Sequence, residues 1–121
     1  MTDQSNNSRL IGPYGEELVN LLVEGEERQE LLEKSNRLPS VRISARSLSD
    51  IELLATGAYS PLTRFMCRAD YERVLTEMRL NNGLLYPIPV TLPVEESDLP
   101  SWSEQITLSD SRNNTIAVMK I

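Results

Sequence analysis

Four arginines, Arg42, Arg46, Arg64 and Arg68, are the side chains of this sequence best suited to hold a polar ligand. A guanidinium forks onto two oxygens at once, so such residues suit carboxylate, sulfate or phosphate. If Ser60 caps a helix opened by Pro61, the free amides there would assist the same anion. Salt links on the surface or between domains are the ordinary alternative for the same arginines, and contact with the rest of an enzyme is a third use. Cys67, flanked by Arg64 and Arg68, is a candidate reactive thiol because local positive charge favours a thiolate. Its plainer role is a small, partly buried side chain beside Phe65 and Met66. The acidic loop Glu95-Glu96-Asp98 could take a hard cation but lacks the spacing of a calcium loop, and a solvated loop is the expectation. Asp50 and Glu52 do not share a helical face. Glu26, Glu27, Glu30 and Glu33 read as the solvated side of a helix.

The absences weigh more than these candidates. The 121 residues include no histidine, which removes imidazole catalysis, histidine metal ligands and the usual serine or cysteine nucleophile systems. One cysteine can form neither an intrachain disulfide nor a thiolate zinc site. No glycine-rich phosphate-cradling motif occurs. No catalytic, cofactor-binding or metal-binding residue is therefore expected in this chain.

Charge is unevenly spread. The formal net charge is −6, yet residues 34–79 hold eight basic against five acidic groups, so a local anion site survives in the middle of an acidic chain. The overall sign disfavours nucleic acid as a partner. Without a signal run or a bilayer-spanning apolar stretch, a cytoplasmic location with no membrane partner is the expectation.

The positioning elements follow from pattern. Residues 1–9 read as a flexible leader, and Gly12-Pro13-Tyr14-Gly15 as a turn. Glu26–Arg37 reads as a helix with Leu31 and Leu32 on its apolar side and charges that complement its dipole. Val41–Ser44 is a short strand candidate. A second helix is expected from Leu48 to Thr56, capped by Ser47 with Asp50 at the capping-box position, and ended by Gly57. Ser60-Pro61 then suggests a short turn of helix through Phe65. A third helix over Ala69–Met78 would place Tyr71, Val74, Leu75 and Met78 together, and Asn81-Asn82-Gly83 turns the chain out.

From Tyr86 to Val94 the period changes to two. Tyr86, Ile88, Val90, Leu92 and Val94 would form a buried face, while Pro87, Pro89 and Pro93 share one parity. Missing N–H groups on that side predict an edge strand, or one bending around a barrel opening. Leu99 and Trp102 interrupt a polar loop, with Trp102 a core lid or interface anchor. Ile106–Leu108 and Thr115–Ile121 read as strands around a Ser111–Asn114 turn. The fold class is α+β, expected to be truncated at its C-terminal end.

Three stretches carry a family resemblance. They are Leu10-Ile11-Gly12-Pro13-Tyr14-Gly15 with Leu18-Val19-Asn20; Leu53-Leu54-Ala55-Thr56-Gly57-Ala58-Tyr59-Ser60-Pro61-Leu62 with Phe65-Met66; and Asp70-Tyr71, Met78-Arg79-Leu80, Gly83 and Tyr86 to Leu92. In order and spacing the chain resembles the N-terminal domain of ATP sulfurylase, or sulfate adenylyltransferase, from about Leu10 to Val94. The resemblance implies a PUA-like β-barrel over residues 10–121, with added N-terminal helices. It implies a noncatalytic part of an enzyme that converts ATP and sulfate to adenylyl sulfate and pyrophosphate, with Mg2+ serving that parent. The implied partner is the catalytic domain of the same parent chain, with a homo-oligomer as a further candidate. The family's catalytic stretches, Gln-x-Arg-Asn-Pro and His-x-x-His, are absent, so no substrate-binding residue carries over. Arg64 stands where the family usually has Gly, Pro93 where an acid is common, and Tyr86 where Trp is frequent. Arg64 is the departure expected to disturb a tight turn. Two alternatives from other classes are a PUA-like RNA-binding module and a protein-interaction or oligomerisation module.

Overall fold

The computed structural model describes residues 11–95, 97 and 104–121. The leader at 1–9 and the residues Leu10, Glu96, Asp98, Leu99 and Trp102 lie outside the described residues, and with them most of the acidic loop and the expected aromatic lid. The elements in chain order are α1 (Gly25–Ser35), β1 (Ser40–Arg42), α2 (Ala45–Thr56), α3 (Arg68–Glu77), β2 (Gln105–Ser109) and β3 (Thr115–Lys120). This is the α+β mixture that the sequence pattern indicates. The chain divides into two compact units, residues 11–21 with 54–89, and residues 22–53 with 90–121.

The second unit is built on a mixed three-stranded sheet in the order β1-β2-β3. β1 runs parallel to β2, pairing Val41 with Leu108. β3 runs antiparallel to β2, pairing Ile106 with Met119 and Thr107 with Val118. The central strand β2 is flanked on each side by another strand, and from Ile106 to Ser109 it is buried on both faces. Alternation sends Ile106 and Leu108 to one face, where they are the largest fully buried side chains of the described chain. Burying each contributes on the order of 2–3 kcal/mol. The other face carries Thr107 and Ser109, also buried, and their hydroxyls find acceptors. Thr107 Oγ1 donates to Ser35 O at 2.9 Å, and Ser109 Oγ to Val41 O at 3.4 Å. Buried hydroxyls paired in this way escape the desolvation penalty of an orphaned one.

α1 packs against β3 and turns Leu31 and Leu32 half inward while Glu26, Glu27, Glu30 and Glu33 stay in water. Its acidic first turn and Lys34 in the last turn suit the dipole. The helix stops at Ser35, two residues before the expected Arg37. Ser35 Oγ turns back to donate to Leu32 O at 2.6 Å, and Arg37 N–H closes a turn on Lys34 O. α2 starts three residues earlier than expected. Ser44, not Ser47, is the cap: its Oγ accepts the Ser47 N–H at 3.1 Å, and its carbonyl accepts from Leu48. Asp50 is therefore past the capping-box position. Ser47 is buried instead.

The first unit has less regular structure. Its buried apolar side chains are Leu54, Leu62, Val74, Leu80 and Tyr86, spread over the end of α2, a turn, α3 and the chain after it. α3 matches the expected third helix to within a residue, but only Val74 of its expected apolar face is buried. Tyr71, Leu75 and Met78 remain exposed. Met78 takes a left-handed cap conformation with φ 55° and closes the helix by donating to Val74 O.

Two expectations fail here. No helix opens at Ser60-Pro61: the peptide bond is cis, and residues 57–61 form a turn. Nor does the run from Tyr86 to Val94 form a strand. Only an isolated antiparallel bridge, Arg79 to Leu85, precedes it. Tyr86 and Val90 are buried while Ile88 and Val94 are exposed. Every second residue does not face one core, because the chain leaves one unit at Pro89 and enters the other at Val90. The three prolines withhold the donors a ladder would need.

Candidate functional site

Most of the described residues that carry the family resemblance, from Ile11 to Asn20 and from Leu54 to Pro89, lie in the first unit, so that unit holds the candidate site. α2 ends at Thr56, and Gly57 follows at φ +91°. A Cβ there would stand 2.6 Å from both Val19 O and Leu18 Cδ1. Glycine is needed on two counts, the left-handed backbone and the close approach of another strand of chain. That approaching segment is fastened next to it. Leu21 N–H donates to Ala55 O at 2.9 Å, and Val19 N–H donates to Ser60 Oγ at 3.0 Å. Ser60 Oγ in turn donates to Gly57 O at 2.7 Å. The hydroxyl thus serves as donor and acceptor together, buried between two pieces of backbone.

The turn before this segment is also pinned. Glu16 N–H donates to Pro13 O at 3.1 Å, and Gly15 sits at φ +81° against Pro61. A Cβ on Gly15 would meet Pro61 Cβ at 2.7 Å. Tyr14 Oη donates to Leu85 O. Tyr86 Oη donates to Tyr59 O at 3.0 Å. Burial, with a smaller contribution from the neighbouring Tyr59, pushes the Tyr86 phenol up to about 12. This phenol is a fixed hydrogen-bond donor, and nothing in its surroundings prepares it as an acid or base near neutral pH.

The same unit opens a cleft of about 360 Å³, lined mainly by Leu62, Arg64, Met66, Cys67, Asp70 and Asn81. Asp70 organises it. One carboxylate oxygen accepts the Asn81 N–H at 2.7 Å, and the other accepts from Cys67 Sγ at 3.5 Å. Cys67 is exposed rather than partly buried. Its polar partner is the Asp70 carboxylate, and not Arg64 or Arg68. Arg64 lines the cleft, exposed, and its φ is not positive. Glycine is therefore not required at that position, and the turn accommodates arginine without left-handed strain.

The four arginines are placed two in each unit. Arg64 lines the cleft of the first unit. Arg68, in the first turn of α3, pairs with Glu72 at 2.8 Å in an exposed i,i+4 arrangement. Arg42, on β1 in the second unit, donates to Asn113 Oδ1 at 2.9 Å in the β2–β3 turn. Arg46 lies exposed in the first turn of α2. The helix amides that Ser60 was expected to present to an anion do not exist, since no helix starts there. Among the described residues no group of three or more His, Cys, Asp or Glu could hold a metal ion, and no helix is long and apolar enough to cross a membrane.

Sequence reading misses Asp70 as the organiser of the cleft, and Asp110 as the organiser of the β2–β3 turn. Asp110 accepts from Arg112 N, Asn114 N and Asn114 Nδ2. Those bonds, the Asn114 amide foremost, hold its carboxyl below the usual aspartate range. The signal that could have found it is Asp followed by two asparagines at the close of a strand, an aspartate-anchored turn.

The sequence model of the PUA-like domain family matches residues 11–121. The chain is 45% identical over 119 residues to a sulfate adenylyltransferase of Nostoc punctiforme, covering 97% of this chain and 30% of that protein. It is 45% identical over 113 residues to a sulfate adenylyltransferase of Symbiobacterium thermophilum, covering 92% and 29% respectively. A solved structure described as a hexameric APS kinase from Thiobacillus denitrificans superposes with a TM-score of 0.84 at 36% identity, over 93% of this chain and 23% of that one. The chain thus spans about 30% of the length of the curated relatives it matches.

Proposed function

Because the chain belongs to the PUA-like domain family, we propose that it is the noncatalytic N-terminal part of a sulfate adenylyltransferase. The parent enzyme would convert ATP and sulfate to adenylyl sulfate and pyrophosphate. The observation that carries the proposal is the match along 97% of this chain to 30% of such an enzyme. The absence of histidine from the sequence agrees with it, since the family's His-x-x-His stretch cannot lie here. So does the work done by the matched residues. Gly15, Gly57, Ser60 and Tyr86 shape and fasten backbone, and none of them is arranged as a nucleophile or general base.

ATP and Mg2+ would be held by the catalytic domain of the same polypeptide. The residues described in this chain offer no ligand cluster for the metal and no phosphate loop, so no step of the reaction is assigned to them. Arg42, Arg46, Arg64 and Arg68 are the proposed contacts to that domain or to anions at its border. A cytoplasmic location and assembly into a homo-oligomer complete the reading.

Two experiments test it. Pure chain incubated with ATP should release no pyrophosphate in a sulfate-dependent way, and reproducible turnover would overturn the proposal. Replacing the matched 119 residues of the Nostoc punctiforme enzyme with this chain should leave a soluble, active chimera. Deleting those residues should abolish soluble expression or activity. An inactive, insoluble chimera beside an active deletion would sink the domain assignment.

A further inference from the structure

We infer that the cleft of the first unit is a binding site for a small zwitterion with an aliphatic side chain, an α-amino acid of the leucine class. The site stands outside the adenylyl-transfer reading, which assigns this chain no amino-acid ligand.

The cleft carries one charge of each sign. Arg64 and Asp70 both line it, yet they form no ion pair with each other. The other arginines of this stretch have partners. Arg68 pairs with Glu72, Arg73 Nε with Glu77 and Nη1 with Asn81 O, and Arg79 Nη1 with Gly83 O. Among the described residues the Arg64 guanidinium has none. Asp70 accepts one bond at each oxygen, from Asn81 N–H and from Cys67 Sγ. An ionised carboxylate has about four acceptor positions, so about two remain for an incoming ammonium group. A simple anion would suit Arg64 but be repelled by Asp70, and a simple cation the reverse. A zwitterion answers both charges at once.

Below these charges the floor is apolar. Leu62 and Leu80 are buried there and Met66 is half-buried, which suits an aliphatic side chain. The volume of about 360 Å³ lies at the small end for ligand pockets, on the scale of a free amino acid. The walls are held before any ligand arrives. Leu62 N–H donates to Tyr59 O, Gly83 N–H to Leu80 O, and Leu80 N–H to Leu84 O. Asn82 Oδ1 takes the Leu84 N–H at 3.1 Å, which leaves the Asn82 amide NH2 as a donor at the rim. Walls fixed in this way spare the ligand the cost of ordering them.

Titration of the pure chain with L-leucine, followed by amide NMR, should give saturable shifts at Thr63, Arg64, Cys67 and Asn81, and none at Ile106 or Leu108. L-leucinamide, which lacks the carboxylate, and isocaproate, which lacks the ammonium, should each bind about tenfold more weakly. Arg64→Gln should bring leucine down to the level of leucinamide while leaving leucinamide binding unchanged. Asp70→Asn should bring leucine down to the level of isocaproate while leaving isocaproate binding unchanged. Loss of shape alone does not produce that crossed pattern. If Asp70→Asn disturbs the turn at Asn81, Arg64→Gln on the exposed rim and the three ligands decide alone. Failure to saturate by about 10 mM leucine overturns the inference. So does isocaproate or leucinamide binding as tightly as leucine, or a saturable shift confined to residues outside the cleft. None of these outcomes bears on sulfate-dependent turnover or on the chimera, so this inference and the enzyme reading fail separately.

Discussion

The two units of this chain reach order by different means. In the second, a three-stranded ladder and a few apolar side chains do most of the work, with Ile106 fully buried and Leu108 nearly so. In the first, backbone is held to backbone through particular residues: a glycine with no room for a Cβ, a buried serine hydroxyl, a tyrosine phenol. Packing tolerates substitution by residues of similar shape, whereas a left-handed glycine in contact has no equivalent. The residues that carry the family resemblance are accordingly densest where geometry, rather than volume, is demanding.

The contrast can be broken most forcefully at Ile106. Ile106→Ala should cost about 4 kcal/mol in urea unfolding, through lost burial and the cavity left behind. Ile106→Val should cost about 1 kcal/mol, since the ladder survives. A comparable loss in both would mean that shape, not burial, governs the second unit too. Next is Gly57→Ala, expected to cost about 3 kcal/mol from left-handed backbone and the contact with Val19 O. Its mark should be faster amide exchange at Val19 and Leu21. A cost below about 0.5 kcal/mol would remove the geometric account of the first unit.

Tyr86→Phe should cost about 1 kcal/mol, the net worth of one buried hydrogen bond. It also carries a pH signature. The phenol ionises near 10 in the unfolded chain and at about 12 in the folded one. The folded state therefore keeps a proton that the unfolded state releases, so stability present below pH 10 is lost as pH rises toward 12. In Tyr86→Phe that alkaline loss should shrink, as followed by urea midpoints between pH 8 and 11. The smallest effect is expected at Asp110, in an exposed turn. Its depressed carboxyl stabilises the fold above the ordinary aspartate range, and that contribution fades as pH falls through the folded value. Asp110→Ala should lower Tm by roughly a degree or two at neutral pH, with the difference from wild type vanishing in acid.

Much of the architecture is legible in the sequence. Helical periodicity locates α1, α2 and α3 to within three residues, and alternation with a polar turn locates β2 and β3. The errors share one cause. Ser47 looks like a cap, Ser60-Pro61 like a helix start, and Tyr86–Val94 like a strand, because each local pattern is satisfied in isolation. What overrules them is a partner distant in sequence. Val19 N–H and Gly57 O claim the Ser60 hydroxyl, and the units divide the run of alternating residues between them. The arginines illustrate the same limit. Their types signal anion chemistry, and only the structure shows that Arg68 has an exposed partner in Glu72 and Arg42 one in Asn113.

The sequence alone determined the chemistry denied to this chain, the positions of its main elements, and its likeness to one enzyme family. Those follow from residue identity and short-range periodicity, which need no partner. Only the tertiary structure decided what the matched residues do. Close contacts between segments some 40 positions apart, such as Val19 with Ser60, turn glycine, serine and tyrosine into fasteners. It also decided that β2 takes β1 as a parallel neighbour, because strand neighbours are set by long-range pairing that no local pattern records.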